Sequence, residues 1–220
     1  MSKAKLYKKM TKENTALIVI DIINSCASKK CEIEKWDITF SKIRKIVPRL
    51  NNFLNKYREE INKNVFLING VPWQEEFLPR NMNELYQHNS GAKYYSENKS
   101  GFVEEFFNIK PVKTDTIFTK NTYSAFADRK LDKILKERKI KYLIIAGVFG
   151  DACVMATVAG AFASGYSLVM LKDLIETTDV SIRQKIQEGL KKYTWPYTYG
   201  DTINSDNFLK YWSNEKTERE

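Results

Sequence analysis

The sequence predicts one α/β domain, a Rossmann-like three-layer sandwich in which helices flank a mostly parallel sheet. Several short apolar runs lack a helical period, as buried strands do, and amphipathic segments with helical spacing lie between them. A length of 220 residues suits a single domain, and 43% hydrophobic residues are enough for its core. We predict a basic lead-in over residues 1–13, the domain itself over residues 14–212 and a solvated tail over residues 213–220.

The predicted strands and helices alternate along the chain. Strands are predicted at residues 16–21, 65–68, 116–119, 142–148 and 167–171. Helices are predicted at residues 40–54, 125–138, 180–193 and 205–212, with a further helix after the turn that follows residue 148. In the third of these, Ile182, Ile186 and Leu190 recur at the spacing of one helix face, which predicts that this face lies against the core.

The stretch from residue 72 to residue 111 contains three prolines and two glycines and gives no clear element. In an α/β enzyme, such a stretch tends to wrap the mouth of the site or to form an oligomer contact. We therefore expect it near the carboxyl edge of the sheet.

Composition and charge exclude several classes of protein. No apolar run approaches the ~18 residues of a membrane span, and the N-terminus is too polar for a signal peptide, so we expect a cytoplasmic protein that does not enter a membrane. The net charge is +9, but the basic residues are spread among acidic ones, and we expect no nucleic-acid binding. The three cysteines match neither a disulfide framework nor a zinc site, so reduced thiols are expected.

The most informative residue is Cys153, which follows a strand and a tight turn at the start of a helix. The turn reads GVFGDAC, and small residues continue into the helix. Unpaired N–H groups and the helix dipole at this place favour the thiolate, so we predict a lowered pKa for Cys153 and a role as nucleophile. Its position alone also fits a small buried residue.

Two other predicted strands end in charged groups, Asp21 and Lys120. Because the carboxyl ends of parallel strands line one crevice, both are predicted to converge there with Cys153. A carboxylate, an amine and a thiol in one crevice form a hydrolytic constellation. Taken singly, Asp21 also fits a turn residue, and Lys120 also fits a solvated surface charge.

Four segments of the chain resemble in this order the signature blocks of the isochorismatase-like cysteine hydrolases: LIVIDIIN, FTKNTYSAF, IIAGVFGDACVMATVAGAFASGY and VMLKD. This superfamily includes nicotinamidase and N-carbamoylsarcosine amidase. The resemblance implies that Asp21, Lys120 and Cys153 are catalytic. It also implies a cis peptide bond between Val148 and Phe149.

The residue types predict a mechanism that agrees with this resemblance. Asp21 takes the proton of Cys153, Lys120 supports the thiolate, and the sulfur attacks a planar carbonyl carbon. The backbone N–H groups of Phe149 and Cys153 form the oxyanion hole, and Asp21 later protonates the leaving amine and activates water. We therefore predict a metal-independent cysteine hydrolase that cleaves a C–N bond of a small amide or carbamoyl compound through a Cys-bound acyl intermediate.

Aromatic residues near the strand ends are the predicted walls of the substrate pocket. They follow strand ends or belong to the signature turn, and they are Trp73, Tyr123, Phe126 and Phe149. A flat or apolar substrate would fit between such side chains. Tyr123 and Phe126 also fit core positions.

Three positions depart from the usual pattern of the superfamily. Ile23 stands where Gln is usual, Gly150 where Thr is usual, and Phe149 where a small residue is common. An alternative that fits these departures is a catalytically inactive member of the superfamily that binds a small molecule or serves as an oligomeric scaffold. A vinyl-ether hydrolase of the isochorismatase type is another alternative, although the authentic isochorismatases lack the cysteine that stands here at Cys153.

No metal and no cofactor are predicted. Nicotinamidases of the superfamily bind a metal through an Asp and histidines after the second strand, where this chain reads NGVPWQEEF. Glu75, Glu76 and the single histidine, His88, are better explained as solvated residues. The expected partners are a small amide-like substrate and further copies of the chain, as a dimer or tetramer that uses the aromatics of residues 72–107.

Overall fold

Six strands form the sheet in a computed structural model that describes residues 6–33, 38–72, 74–88 and 101–217. In chain order the strands are β1 (Thr15–Ile20), β2 (Val65–Gly70), β3 (Thr116–Lys120), β4 (Tyr142–Gly147), β5 (Ser167–Ile175) and β6 (Gly200–Ile203). Across the sheet they follow the order β3-β2-β1-β4-β5-β6, and every pairing is parallel. The strand order reverses between β1 and β4, the kind of place where open α/β sheets bind ligands.

Helices cover both faces of this sheet. They are α1 (Asn24–Ala27), α2 (Ser41–Lys56), α3 (Arg80–His88), α4 (Lys130–Glu137), α5 (Met155–Ala163), α6 (Ser181–Gly189) and α7 (Ser205–Thr217). One core cluster includes side chains of α2 and α7, and a second cluster, on the other face, includes those of α4 and α5. The predicted three-layer α/β sandwich is therefore confirmed. In the described part of the chain, no helix combines the length and the apolar character of a membrane span.

The central strand β1 shows how the sequence specifies this arrangement. All six of its residues are buried, and successive side chains enter opposite faces of the sheet. Leu17 and Val19 join the core cluster beside α2, while Ile18 and Ile20 join the cluster beside α5. A strand that is covered on both faces needs an uninterrupted apolar run, which is the pattern read from the sequence.

The two ends of the chain differ from the sequence prediction. Leu6 and Tyr7 are buried in the core, and the Tyr7 hydroxyl donates to Asp201 Oδ2 at 2.6 Å. From residue 6 onward, the predicted lead-in is therefore part of the domain and is held by β6, a strand that the sequence analysis missed. At the other end, α7 continues to Thr217, well into the predicted tail.

The face of α6 that meets the core is not the apolar face that the sequence predicts. Ile182 and Ile186 are 60% and 49% exposed, whereas Gln187 is buried and Arg183 is half-buried. Of the three predicted core positions, Leu190 alone packs against the core. The hydrophobic spacing therefore predicts the wrong inner face of α6. The residues that do face the domain, Arg183 and Gln187, are held there by polar contacts.

Helix α2 is capped by a residue from a distant part of the chain. Asp179, between β5 and α6, accepts hydrogen bonds from the Thr39 hydroxyl and from the backbone N–H groups of Ser41 and Lys42. Burial raises the pKa of Asp179, but the hydrogen bonds from these residues outweigh burial and lower the pKa to about 2. The charged carboxylate therefore stabilises the start of α2.

We expect Asp179→Ala to lower the free energy of unfolding by about 1–2 kcal/mol at neutral pH, the usual cost of removing a helix cap. Because the folded-state pKa lies below the ordinary value of ~3.9, this contribution is complete above that value and is lost as the pH falls through about 2. Urea denaturation of both proteins at pH 7 and near pH 2 measures the difference. Glu137→Ala, on the exposed side of α4, is the control, and a difference that does not shrink in acid would contradict the capping role.

Candidate active site

Asp21, Lys120 and Cys153 lie on three different chain segments at one edge of the sheet. Asp21 follows β1 directly, Lys120 is the last residue of β3, and Cys153 lies in the π-helical turn Gly150–Val154 between β4 and α5. Asp21 has a φ of 51°, a left-handed conformation that residues other than glycine seldom adopt. Its backbone N–H donates to the Ile68 oxygen at 3.0 Å, which ties the start of this loop to β2.

The ammonium group of Lys120 connects the other two side chains. Its Nζ lies 2.8 Å from Asp21 Oδ2 and 3.5 Å from Cys153 Sγ, and it donates to the Thr122 backbone oxygen at 3.1 Å. These contacts engage all three N–H donors of the lysine. The second carboxylate oxygen, Asp21 Oδ1, is buried without a hydrogen-bond partner among the described residues. Oδ1 is thus the oxygen with capacity to receive a proton.

Burial sets the protonation of these groups. Cys153 is 6% exposed, and the side chains of Lys120 and Asp21 are 4% and 5% exposed. Burial raises the pKa of the Cys153 thiol; Lys120 acts against this, and Asp21 adds to it. Burial alone would lower the pKa of Lys120, but Asp21 and Cys153 outweigh burial and raise it. Burial thus shifts the pKa of the thiol upward, whereas the helix start alone predicts a downward shift, and a buried thiol needs a base in order to react.

The turn before Cys153 approaches the neighbouring strand closely. Gly147, the last residue of β4, has a φ of 123°, and a Cβ there would lie 2.1 Å from the Ile20 backbone oxygen. Only glycine fits this position. The next peptide bond, between Val148 and Phe149, is cis, as the resemblance implies.

Comparison with known proteins assigns this chain to a family. Residues 15–198 match the family model of the isochorismatase domain. The chain belongs to the isochorismatase family. The uncharacterized isochorismatase family protein YaaI of Bacillus subtilis strain 168 is 27% identical over 169 residues, which cover 76% of this chain and 82% of the relative. The ureidoacrylate amidohydrolase RutB of Variovorax paradoxus strain S110 is 26% identical over 211 residues, which cover 87% of this chain and 81% of the relative.

The fold is shared with solved structures of the same kind. A cysteine hydrolase from Pseudomonas syringae pv. phaseolicola 1448A superposes with a TM-score of 0.76, covering 94% of this chain and 95% of that chain. The two sequences are 19% identical, so this likeness concerns the fold alone. The family recognised from the sequence segments is confirmed.

Ile23, one of the departures from the usual isochorismatase-family pattern, contacts a segment that runs beside the site. It forms an antiparallel bridge with Phe106. Asn24 holds the same segment, because its backbone N–H donates to the Glu105 oxygen and its side chain donates to the Phe102 oxygen, both at 2.9 Å. Part of the irregular stretch therefore lies against the loop that follows β1, which is consistent with its predicted position.

Gly150, a second departure from the family pattern, leaves room for a side chain from α6. A Cβ at Gly150 would lie 2.1 Å from Gln187 Oε1, and Gln187 is 1% exposed. Gln187 Nε2 donates to Glu176 Oε1 at 2.6 Å, and the Gly150 N–H donates to the Glu176 backbone oxygen at 2.9 Å. Gln187 thus occupies the space that a side chain at position 150 would need.

Asp151 holds the same turn through an ion pair. Arg183 of α6 donates to both carboxylate oxygens, at 2.7 and 2.8 Å, and the Thr177 hydroxyl donates to Oδ1. The guanidinium carbon of Arg183 also lies 4.8 Å from the centre of the Phe149 ring. Asp151, Arg183 and Gln187 were not among the site residues predicted from the sequence. The four-residue spacing of Arg183 and Gln187 places both on one face of α6 and was the available sequence signal. The isoleucines on another face instead predict that their own side meets the core.

The predicted pocket walls occupy different positions. Phe149 is buried within the turn itself, and Tyr123 is half-buried between two core clusters. Phe126 is buried with its ring centre 5.6 Å from that of Tyr166, so its contacts are those of a core residue. Trp73 lies outside the described residues.

Candidate metal ligands are not grouped around this site. In residues 6–33, 38–72, 74–88 and 101–217, no three His, Cys, Asp or Glu side chains lie close enough together to hold a metal ion. Glu75 and Glu76 are exposed. The side chain of His88 lies outside the described part of the chain.

We expect Gly150→Ala to destabilise the protein by about 1–3 kcal/mol, because the new methyl group overlaps the buried Gln187 amide, which Glu176 holds in place. In a Gln187→Ala background, the same substitution should cost much less, since the overlapping atom is gone. Denaturation of the four proteins of this double-mutant cycle measures the coupling. If the two substitutions change the free energy of unfolding additively, Gln187 does not fill the space beside Gly150.

Proposed function

We propose that this isochorismatase-family chain is a cysteine hydrolase that cleaves a C–N bond of a small amide or carbamoyl compound. The observation that carries the proposal is the position of Lys120 Nζ, 2.8 Å from Asp21 Oδ2 and 3.5 Å from Cys153 Sγ. A buried base, cation and thiol in mutual contact are the groups that nucleophilic attack on a carbonyl uses. The relative named ureidoacrylate amidohydrolase supports a substrate of the amide class.

In the first half of the proposed reaction, Asp21 Oδ1 removes the thiol proton of Cys153, and the sulfur attacks the substrate carbonyl carbon. Lys120 keeps a positive charge beside the forming thiolate. The carbonyl oxygen becomes an oxyanion and accepts hydrogen bonds from the backbone N–H groups of Phe149 and Cys153. Collapse of this intermediate breaks the C–N bond while protonated Asp21 gives its proton to the leaving nitrogen. Ammonia or an amine departs, and the acyl group stays on the sulfur.

In the second half, water attacks the thioester carbon while Asp21 removes one of its protons. Collapse of the second intermediate breaks the C–S bond, the acid is released, and Asp21 returns the proton to Cys153. One carboxylate therefore serves as base, acid, base and acid again, and each cycle consumes one water molecule. No electron transfer is involved, so the scheme requires no redox cofactor.

The pocket of the proposed enzyme is built around the turn that carries Cys153. Phe149 lies in that turn. Tyr123 lies in the loop that follows Lys120, the last residue of β3. We assign both as walls for a flat acyl group. The three free cysteines also fit the reducing environment of the cytoplasm, where we place the protein.

The proposed mechanism has no role for a metal ion, and we expect chelators to leave turnover unchanged. The polarising charge beside the reacting sulfur comes from Lys120, and the exposed Glu75 and Glu76 are not grouped with a third ligand among the described residues. Rates measured before and after dialysis against EDTA test this expectation. Loss of activity that a divalent cation restores would contradict it.

A screen for ammonia release tests the proposed function. Small primary amides, ureides and carbamoyl compounds are incubated with the wild-type protein, with Cys153→Ala and with Cys31→Ala. At least one compound should release ammonia with the wild type and with Cys31→Ala, and not with Cys153→Ala. Release by no compound, or equal release by Cys153→Ala, would overturn the proposal.

A further inference from the structure

Four large apolar side chains are exposed on the outer side of α6 and of the π-helical segment Leu190–Tyr199 that continues it. Ile182, Ile186, Tyr193 and Tyr197 are 60%, 49%, 69% and 77% exposed, and we call them the α6 stripe. The rings of the two tyrosines stack with their centres 5.0 Å apart. Exposed apolar side chains at such spacing along one helix are typical of an interaction site.

Among the described residues, the polar contacts that hold α6 to the domain are made by another side of the helix. Arg183 and Gln187 fix that side to the turn of the site. Gly189 lies in the middle of the stripe, and apart from its chain neighbours and its own helix backbone, no atom of the described residues lies within 4 Å of where its Cβ would stand. A helix glycine costs up to about 1 kcal/mol relative to alanine, so an open position for it favours close approach by a second chain.

The order of the stripe fits a second copy of the same chain. The stripe is symmetric about the peptide bond between residues 189 and 190: Ile186 and Tyr193 are equally far from it, and so are Ile182 and Tyr197. If two copies cross antiparallel on a two-fold axis there, Ile186 faces the partner's Tyr193 and Ile182 faces the partner's Tyr197. An isologous contact matches one surface with itself in this way.

The charges beside the stripe fit the same arrangement. Glu188 lies before the axis and Lys192 after it, and within one chain they form an ion pair at 3.0 Å. An antiparallel crossing brings each Glu188 toward the partner's lysines, whereas a parallel crossing would bring Glu188 toward another carboxylate. Charge therefore favours the antiparallel orientation.

We propose that the α6 stripe is a two-fold interface between two copies of this chain. An aromatic side chain presents roughly 150–250 Å². Two tyrosines and two isoleucines with these exposures supply a large part of the ~800 Å² per partner that a standard interface buries. This surface differs from the aromatics of residues 72–107 that the sequence predicted, and the proposal does not depend on the proposed reaction. The interface would also support α6 from outside, opposite its contacts with the catalytic turn.

Sedimentation velocity of the full-length protein between about 1 and 50 μM tests the proposal. We expect an assembly of even subunit number for the wild type, and at least a tenfold weaker dimerisation for Ile186→Lys and for Tyr193→Glu. The matched control is Ile117→Lys on the edge strand β3, where Ile117 is 54% exposed, and it should assemble as the wild type does. Circular dichroism verifies that each variant is folded.

Mixing the two stripe variants tests the antiparallel register. In a mixed dimer, the lysine introduced by Ile186→Lys faces the glutamate introduced by Tyr193→Glu, and the second contact keeps its native residues. The mixture should therefore form dimers at concentrations where each variant alone is monomeric. A monomeric wild type, an assembly that neither stripe variant weakens, or a mixture that stays monomeric would overturn the proposal.

Discussion

Cys153→Ala should reduce turnover to less than about one thousandth of the wild-type rate, because it removes the proposed nucleophile. The fold should remain intact, since the substitution deletes one sulfur at the start of a helix, where alanine is well tolerated. Ammonia release from a substrate that the wild type accepts measures the rate. Thermal unfolding followed by circular dichroism measures the fold.

Cys31→Ala is the matched control for this experiment. No role is predicted for either of the other two cysteines, but Cys26 is buried and lies close enough to Cys153 and Lys120 to interact with both. Cys26→Ala is therefore expected to change the rate moderately, whereas Cys31, half-buried on the surface, should tolerate alanine with little effect. Equal loss of activity in all three variants would mean that the fold, and not the nucleophile, depends on the thiols.

Asp21→Asn should lower both activity and stability. The amide cannot take the thiol proton, so we expect a rate loss of about 10²–10⁴-fold, the usual contribution of a general base. It also leaves the buried Lys120 ammonium without its partner at 2.8 Å, and breaking a buried pair costs about 3–5 kcal/mol. Turnover and urea denaturation of the same preparation measure the two effects.

Removing both charges distinguishes the effect of Asp21 on turnover from its effect on the free energy of unfolding. Asp21→Asn combined with Lys120→Met leaves no unpaired charge, so much of the lost stability should return while the enzyme stays inactive. Recovery of activity with stability would show that Asp21 acts only by keeping the site folded. A double variant as unstable as Asp21→Asn would show that the ion pair is not the source of the loss.

The place of the three proposed reacting groups was predictable from the sequence because it depends on one rule, the convergence of parallel strand ends. Asp21, Lys120 and Cys153 each follow an apolar run that is long enough for a strand, and parallel strands bring their carboxyl ends to one edge. No side-chain detail is needed for that step. The strand β6 was missed because its sequence, GDTI, is short, begins with glycine and contains no apolar run.

The direction of the Cys153 pKa shift and the orientation of α6 could not be predicted from the sequence. A helix start is visible in the sequence, but the depth at which the thiol is buried is not, and burial reverses the direction of its pKa shift. The isoleucines of α6 form an apolar helix face, yet their spacing does not tell whether the domain core covers that face or leaves it exposed. Arg183 and Gln187 hold the inner side because Asp151 and Glu176 supply polar partners there.

The central claim is that Cys153 carries the acyl group during hydrolysis, and mass spectrometry of the protein quenched in acid during turnover tests it most directly. With a compound from the ammonia-release screen, the account predicts a mass increase equal to the acyl part of that compound. Peptide mapping should place the increase on Cys153, and Cys153→Ala should show none. An adduct on another residue, or Cys153→Ala that turns over the compound at the wild-type rate, would contradict the account.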